Sequence, residues 1–222
     1  MVDVAGADAG PAAGRDERTG AAVQPITKIC VARHGETDWN TEGILQGWID
    51  VTINDNGRAQ ALELAGMLAG AGLTRIYTSP LRRAGETAAI VAAAWRLPPP
   101  AVHEGLKERH FGKVEGRPKS ELSTTHPQLA HDIVRRNPAA QFDHGETLDQ
   151  FASRVLGALA DIGRDNVGGR VLAVTHGWVM DVITRHALRL PQTAILDIKR
   201  KNIECIWLTV TRGVIAESDA GW

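Results

Sequence analysis

The chain has 222 residues, a hydrophobic fraction of 43% and a formal net charge of −1. That length and apolar content suit one α/β-sized domain with a full core and exclude global disorder. The balanced charge excludes a bulk basic field for nucleic acid or a membrane surface, and no apolar run approaches the roughly 18 residues of a membrane span, so any anion recognition has to be local.

Residues 1–24 alternate Ala, Gly, Asp and Arg with almost no large apolar side chains. This predicts a flexible N-terminal tail ahead of a single domain over 25–222. The tail lacks the charged-then-apolar order of a signal peptide, so a cytoplasmic location is expected. Residues 29–32 are a short apolar run, read as a buried strand, and the run stops in Arg33-His34-Gly35-Glu36-Thr37. Open α/β sheets bind ligands beyond the carboxyl ends of their strands. There His34 can present a ring nitrogen and Arg33 a fixed cationic fork, while Gly35 is expected to give the backbone a tight turn.

Asp38-Trp39-Asn40 and Leu45-Gln46-Gly47-Trp48 follow as a loop of amides and aromatics. The spacing of apolar residues predicts helices over 56–71, 81–95, 127–136, 147–162 and 179–190. Thr147 and Gln150 match a capping box. Strands are expected over 75–79, 171–175 and 203–210, with an edge strand near Val214. The junction at Ser79-Pro80 is a second strand end opening a helix and suits an anion. Residues 113–145, broken by proline and charge, are expected as a small cap. Cys30 and Cys205 sit in apolar runs and read as buried reduced thiols. The alternation of strands and helices predicts a three-layer α/β/α sandwich with a mostly parallel central sheet.

Strand ends then carry Arg33-His34, Arg82-Arg83 and His176, which a parallel sheet brings to one edge. A neutral imidazole nitrogen of His34 can attack phosphorus, with arginines and His176 binding the phosphoryl oxygens. The leaving alkoxide needs a proton, and spacing leaves Glu108 and Glu36 open as donors. A second His144-Gly145-Glu146-Thr147 repeats the core motif, but Asp143 replaces the arginine and no buried strand precedes it. That copy fits a helix start with Thr147 as cap, with a rim role open for Glu146. Trp39, Trp48 and Trp178 divide evenly between substrate walls and packing. His126, His131 and His186 read as surface residues, and no helical histidine pair suggests a metal.

Arg33-His34-Gly35-Glu36-Thr37 with Asn40 resembles the signature of the histidine phosphatase superfamily, in the phosphoglycerate mutase-like branch. The resemblance continues through Leu45-Gln46-Gly47-Trp48, Thr78-Ser79-Pro80-Leu81-Arg82-Arg83-Ala84, Leu106-Lys107-Glu108-Arg109-His110-Phe111-Gly112 and Thr175-His176-Gly177. It implies a phosphoglycerate mutase-like fold in which His34 is the phosphorylated nucleophile. Arg33, Arg83 and His176 then bind the phosphoryl group, and Glu108 is the proton donor. Within the pair, the arginine directly before the alanine is the ligand, which selects Arg83 and leaves Arg82 a solvated helix residue. Asn40, Gln46 and Gly47 match pocket positions, and Arg109 and Gly177 are assigned to the same substrate pocket. No metal is implied.

The expected activity is hydrolysis of phosphomonoesters on small phosphorylated metabolites through a phosphohistidine, with no cofactor. The compact insertion over 113–142, and Trp178 where family mutases carry asparagine, favour water as acceptor. The alternative is a cofactor-dependent phosphoglycerate mutase using 2,3-bisphosphoglycerate. The form of Glu108-Arg109-His110-Phe111-Gly112 favours it, as does Arg135-Arg136, a candidate pair for a substrate carboxylate. An inactive anion-binding module is a third reading, against which the intact His34 and Glu108 count. The expected partner is a small phosphorylated metabolite, not nucleic acid or membrane; a homodimer is compatible with the sequence.

Overall fold

The apolar run at 29–32 becomes the middle of a six-stranded sheet. The structure is a computed structural model and describes residues 25–217; the tail expected over 1–24 lies outside them. The strands are β1 (Thr27–Arg33), β2 (Arg75–Thr78), β3 (Ala101–Val102), β4 (Arg170–Thr175), β5 (Cys205–Thr211) and β6 (Val214–Glu217), in the order β3-β2-β4-β1-β5-β6. The first four of that order run parallel; β5 is antiparallel to β1, and β6 to β5. The helices are α1 (Asp38–Thr41), α2 (Asp55–Met67), α3 (Arg82–Trp95), α4 (Lys119–Thr125), α5 (Pro127–Val134), α6 (Leu148–Asp165) and α7 (Gly177–Ala187).

Successive strand residues point to opposite faces, and both faces here are apolar. Ile29 and Val31 pack with Val155 and Leu159 of α6 and Val179 and Val182 of α7. Cys30 and Ala32 pack with Leu64 of α2 and Ala84, Ala88 and Val91 of α3. The continuous apolar run is therefore what a strand between two helical layers requires. The expected α/β/α sandwich is the observed one. Each fully buried aliphatic side chain contributes about 1.5–3 kcal/mol, so the sheet centre is a rigid platform for its edge. α4 and α5 lie in the stretch expected as a small cap, and their Leu122 and Ile133 are buried in the same cluster as α6 and α7. That stretch is also tied to the loop after β1, where Leu45 N donates to the Arg117 carbonyl at 3.0 Å.

Several boundaries differ from expectation for identifiable reasons. β5 begins at Cys205 because Ile203 has φ +55°, which a β-branched residue adopts only under constraint. That turn docks onto β1, with Ile203 N donating to the Arg33 carbonyl and Arg33 N to the Glu204 carbonyl. α7 begins at Gly177, two residues early, so its first turn stands at the sheet edge. β3 and α4 were not expected; each is short and gains its pairing from tertiary neighbours, β3 along Tyr77 and Thr78. Cys30 is buried, whereas Cys205 is only partly so.

Candidate active site

Parallel β1, β2 and β4 bring their carboxyl ends together, and backbone bonds continue the register past them. His34 N donates to the Thr175 carbonyl at 2.9 Å and Ser79 N to the Val174 carbonyl at 3.1 Å. The rings of His34 and His176 then lie 5.2 Å apart at 58°. His34 Nδ1 is 2.7 Å from the Gly35 carbonyl oxygen, which can only accept. Nδ1 therefore carries the proton and Nε2 keeps its lone pair. His176 Nε2 is 2.8 Å from Ser79 Oγ, and its buried Nδ1 has no protein partner. Burial, then the charges of Arg83 and Arg33, hold His34 well below its ordinary pKa. His176 is lowered too, by burial first and then Arg83 and His34. Gly35 serves differently from expectation. Its φ is not positive; instead a Cβ there would meet the Gly57 carbonyl oxygen at 2.5 Å, so glycine is needed for the close approach of α2.

Two arginines surround the histidines. Arg33 Nη1 donates to the Arg200 carbonyl at 2.7 Å, while its buried Nε is unpartnered. Arg83 is 1% exposed and donates to the carbonyls of Ile49 at 3.0 Å and Gly47 at 2.7 Å. Burial lowers both guanidinium pKa values to about 10, so both stay charged near neutrality. Arg82, by contrast, is exposed and pairs with Glu86. The helix end after Ser79-Pro80 is not open to a ligand, because the Asp50 carboxylate already accepts from Arg82 N at 2.7 Å. The open helix end is that of α7, where the capping residue His176 makes no side-chain bond to the first turn.

The two carboxyl candidates separate clearly. Glu36 Oε1 accepts from Asn54 and Asn56, holding α2 to the loop after β1. Glu108 is 8% exposed, and burial raises its pKa against the opposing pull of Arg136, the Arg109 N–H, Arg83 and Arg33. Its loop is bracketed by Arg154, which sequence reading missed. That guanidinium donates to the carbonyls of Gly105, Lys107 and Glu108 and to both oxygens of Glu146. Glu146 therefore braces the loop, and Thr147 caps α6 in the expected capping box. An arginine on an amphipathic helix carries no sequence signal for such a role.

Of the expected pocket residues, Gln46 Nε2 donates to Thr37 Oγ1 at 2.9 Å and its buried Oε1 is unpartnered. Gly47 adopts φ +53°, and its carbonyl holds Arg83. Gly177 opens α7 directly after His176. Asn40 lines a cleft of about 1060 Å³ together with Arg33, Lys119, Arg136, Lys199 and Asn202. This cleft meets the histidine cluster at Arg33; His34, Arg83, Glu108 and His176 are not among its walls. Arg109 is a correction. Its guanidinium is buried against the Phe142 and Trp178 rings and spends both terminal nitrogens on the carbonyls of Pro138, Ala140 and Glu146, which leaves only its buried Nε without a partner. What it contributes near the site is its main-chain N–H, on Glu108 Oε1 at 3.0 Å.

Trp178 packs edge-on against Phe111 and belongs to the core, Trp48 stacks on His110 at 4.6 Å, and Trp39 lines the cleft. His126, His131 and His186 are exposed. Among the described residues, no group of three or more His, Cys, Asp or Glu is arranged to hold a metal ion. Two further buried residues escaped sequence reading, Asp181 and Arg200, which pair at 3.0 Å. The available signal was an aspartate inside the apolar run Val179-Met180-Asp181-Val182-Ile183.

A family model described as histidine phosphatase superfamily (branch 1) matches residues 29–218. Phosphoglycerate mutase-like protein 4 of Arabidopsis thaliana is 37% identical over 155 residues, 69% of this chain and 67% of the relative. A metal-independent phosphoserine phosphatase of the same plant is 35% identical over 160 residues, 71% of this chain and 67% of the relative. Bacillus stearothermophilus YhfR superposes with a TM-score of 0.79 at 30% identity, covering 86% of this chain and 95% of that one.

Proposed function

Since the chain belongs to the histidine phosphatase superfamily (branch 1), we propose that it hydrolyses phosphomonoesters of small metabolites through a phosphohistidine on His34, without a metal. The observation that carries this reading is the tautomer of His34. With Nδ1–H engaged by the Gly35 carbonyl, the Nε2 lone pair is available beside Arg33, Arg83 and His176. The same charges that bind phosphate keep the imidazole neutral, which a nucleophile requires.

Nε2 attacks phosphorus as the ester O–P bond breaks, and the Glu108 carboxylic acid gives its proton to the departing alkoxide. Arg33, Arg83, the His176 Nδ1–H and the open end of α7 take the charge of the equatorial oxygens. Each charge-assisted bond contributes about 1.5–3 kcal/mol. The Glu108 carboxylate then removes a proton from a water whose oxygen attacks phosphorus. Phosphate leaves, and His34 and Glu108 return to their starting protonation. The raised pKa of Glu108 suits a group that must alternate between acid and base.

Two features support water as acceptor. The cap is short, and Trp178 turns into the core, so that position offers no side-chain amide for holding a bisphosphorylated intermediate. The alternative, phosphoglycerate mutase activity with 2,3-bisphosphoglycerate, draws support from Arg136 on the cap, which lines the cleft. A panel of phosphorylated metabolites with and without 2,3-bisphosphoglycerate separates the two, hydrolysis releasing phosphate and mutase activity releasing an isomer. Acid-quench labelling tests the shared step. Absence of phosphate on His34 with every substrate rejects both and leaves an anion-binding module.

A further inference from the structure

Just ahead of β5 the chain reads Lys199-Arg200-Lys201-Asn202-Ile203-Glu204, a charged run of the kind that is ordinarily solvated. Lys199 and Lys201 are exposed, yet Arg200 between them is buried. Its guanidinium is divided among three side chains. Nε donates to Asp181 Oδ1 at 3.0 Å, Nη1 to Glu204 Oε1 at 2.6 Å, and Nη2 to Thr184 Oγ1. Asp181 is fully buried on α7, where an unpaired carboxylate would be costly, and takes Arg136 Nε as its second partner at 2.6 Å. Glu204 closes the turn with its other oxygen, accepting from Lys201 N at 2.8 Å.

The segment anchored in this way grips the end of β1. Arg33 N donates to the Glu204 carbonyl at 3.0 Å, Ile203 N to the Arg33 carbonyl at 3.1 Å, and Asn202 Nδ2 to the His34 carbonyl at 2.9 Å. Ile203 holds its φ of +55° in the middle of this grip; strain of that kind persists only where the surroundings impose it, and it concentrates at functional sites. The grip also reaches the Arg33 side chain. Nη1 donates to the Arg200 carbonyl at 2.7 Å, which is the only acceptor of that guanidinium among the described residues, and the buried Nε has none.

We infer that Arg200 is a positioning residue for phosphoryl transfer: pinned through its side chain to Asp181 and Glu204, it presents its main-chain carbonyl to Arg33 Nη1 and so sets where the Arg33 guanidinium meets the phosphoryl oxygens. This rests on the phosphoryl group docking beside His34 as proposed above. A guanidinium is a planar fork, so fixing one terminal nitrogen fixes the direction of the remaining donors. A carbonyl does this without neutralising the charge, as a carboxylate in its place would. The carboxylates of Asp181 and Glu204 are instead paired with Arg200, one step back from the site. Arg33 thus keeps its charge for the anion and needs no reorganisation when the anion arrives.

The test is a double-mutant cycle on the full chain, read by calorimetry of orthovanadate binding, which requires no turnover. Arg33→Met is expected to weaken binding about a hundredfold and Arg200→Met about tenfold. Because Arg200 acts through Arg33, adding Arg200→Met to Arg33→Met changes the affinity by less than about twofold, whereas independent losses multiply. Arg200→Lys keeps a charge for one carboxylate and recovers binding to within about threefold of wild type. Glu204→Gln removes one anchor with little change of shape and weakens binding about threefold, again only while Arg33 is present. Thermal unfolding establishes that each variant is folded, and Glu204→Gln carries the cycle if Arg200→Met does not fold. Wild-type affinity in folded Arg200→Met protein, or losses that multiply in the double variants, overturns the inference, as does wild-type protein that binds no orthovanadate. A cycle that holds in protein never labelled on His34 rejects the phosphatase reading and leaves the positioning role standing.

Discussion

Replacing Arg83 by methionine, with Arg82→Ala as the control, tests whether the buried member of the pair forms the phosphoryl cradle. Arg83 donates to two main-chain carbonyls, that of Ile49 at 3.0 Å and the buried one of Gly47 at 2.7 Å, and its charge is the largest one lowering the pKa of His34. Two charge-assisted bonds contribute about 1.5–3 kcal/mol each, partly offset by relief of guanidinium desolvation, so a net loss of about 2 kcal/mol is expected. In a chain of this size that lowers Tm by roughly 4–8 °C. Loss of one preorganised donor to the transition state lowers kcat/KM by about 10²–10³-fold. A third readout distinguishes charge from packing. Without Arg83 the His34 pKa rises, so the acid limb of the pH–rate profile moves to higher pH. Arg82→Ala removes an exposed pair with Glu86 and is expected to leave kcat/KM within about threefold and the acid limb in place. Activity on p-nitrophenyl phosphate from pH 4 to 9, with thermal unfolding alongside, gives all three readouts. Equal losses in the two variants, or an Arg83→Met profile that keeps its acid limb, would refute the reasoning.

Glu108→Gln should slow alkyl phosphates by about 10²–10⁴-fold and p-nitrophenyl phosphate by roughly tenfold or less, because only poor leaving groups need the proton. Wild-type kcat/KM on alkyl esters falls as pH rises through the raised Glu108 pKa, and that alkaline limb disappears in the variant; a uniform loss across leaving groups removes Glu108 as the acid. Gly47→Ala and Gly43→Ala both put alanine at positive φ, a cost of about 1–2 kcal/mol, but only the Gly47 Cβ meets Glu115 Oε1, the acceptor for Phe111 N. Since the Gly47 carbonyl holds Arg83, kcat/KM should drop about tenfold for Gly47→Ala alone, and equal activities in the two variants contradict the clash. Acid should also destabilise the fold through His34 and His176. Both pKa values are depressed in the folded state, so below about pH 6.5 the unfolded chain binds more protons and stability falls by up to about 1.4 kcal/mol per pH unit for each histidine. Glu108 opposes this, its raised pKa adding stability as pH falls, so the decisive measurement is the slope of Tm between pH 7.5 and 5 in His176→Gln. A slope as steep as wild type excludes His176 as a source.

By itself the sequence determined the layers and the chemistry-bearing positions. An uninterrupted apolar run such as 29–32 fits a strand covered on both faces, and the periodicity of α6 with its Thr147–Gln150 box is local information. Arg33-His34, Ser79 and His176 close or directly follow strands, and parallel pairing then brings them to one edge whatever the loops do. Tertiary structure decided everything that depends on where a long side chain ends. Glu36 and Glu108 were equal by spacing, and became different because one meets two asparagines and the other is buried beside three arginines. Arg109 lies within the matching motif yet spends its guanidinium on backbone carbonyls, while Arg136, in a stretch with little periodicity, turns inward because Asp181 lies across from it. A pattern along the chain records which face a residue occupies. The partner that captures a flexible charged side chain comes from a segment far away in the chain, and only the fold brings the two together.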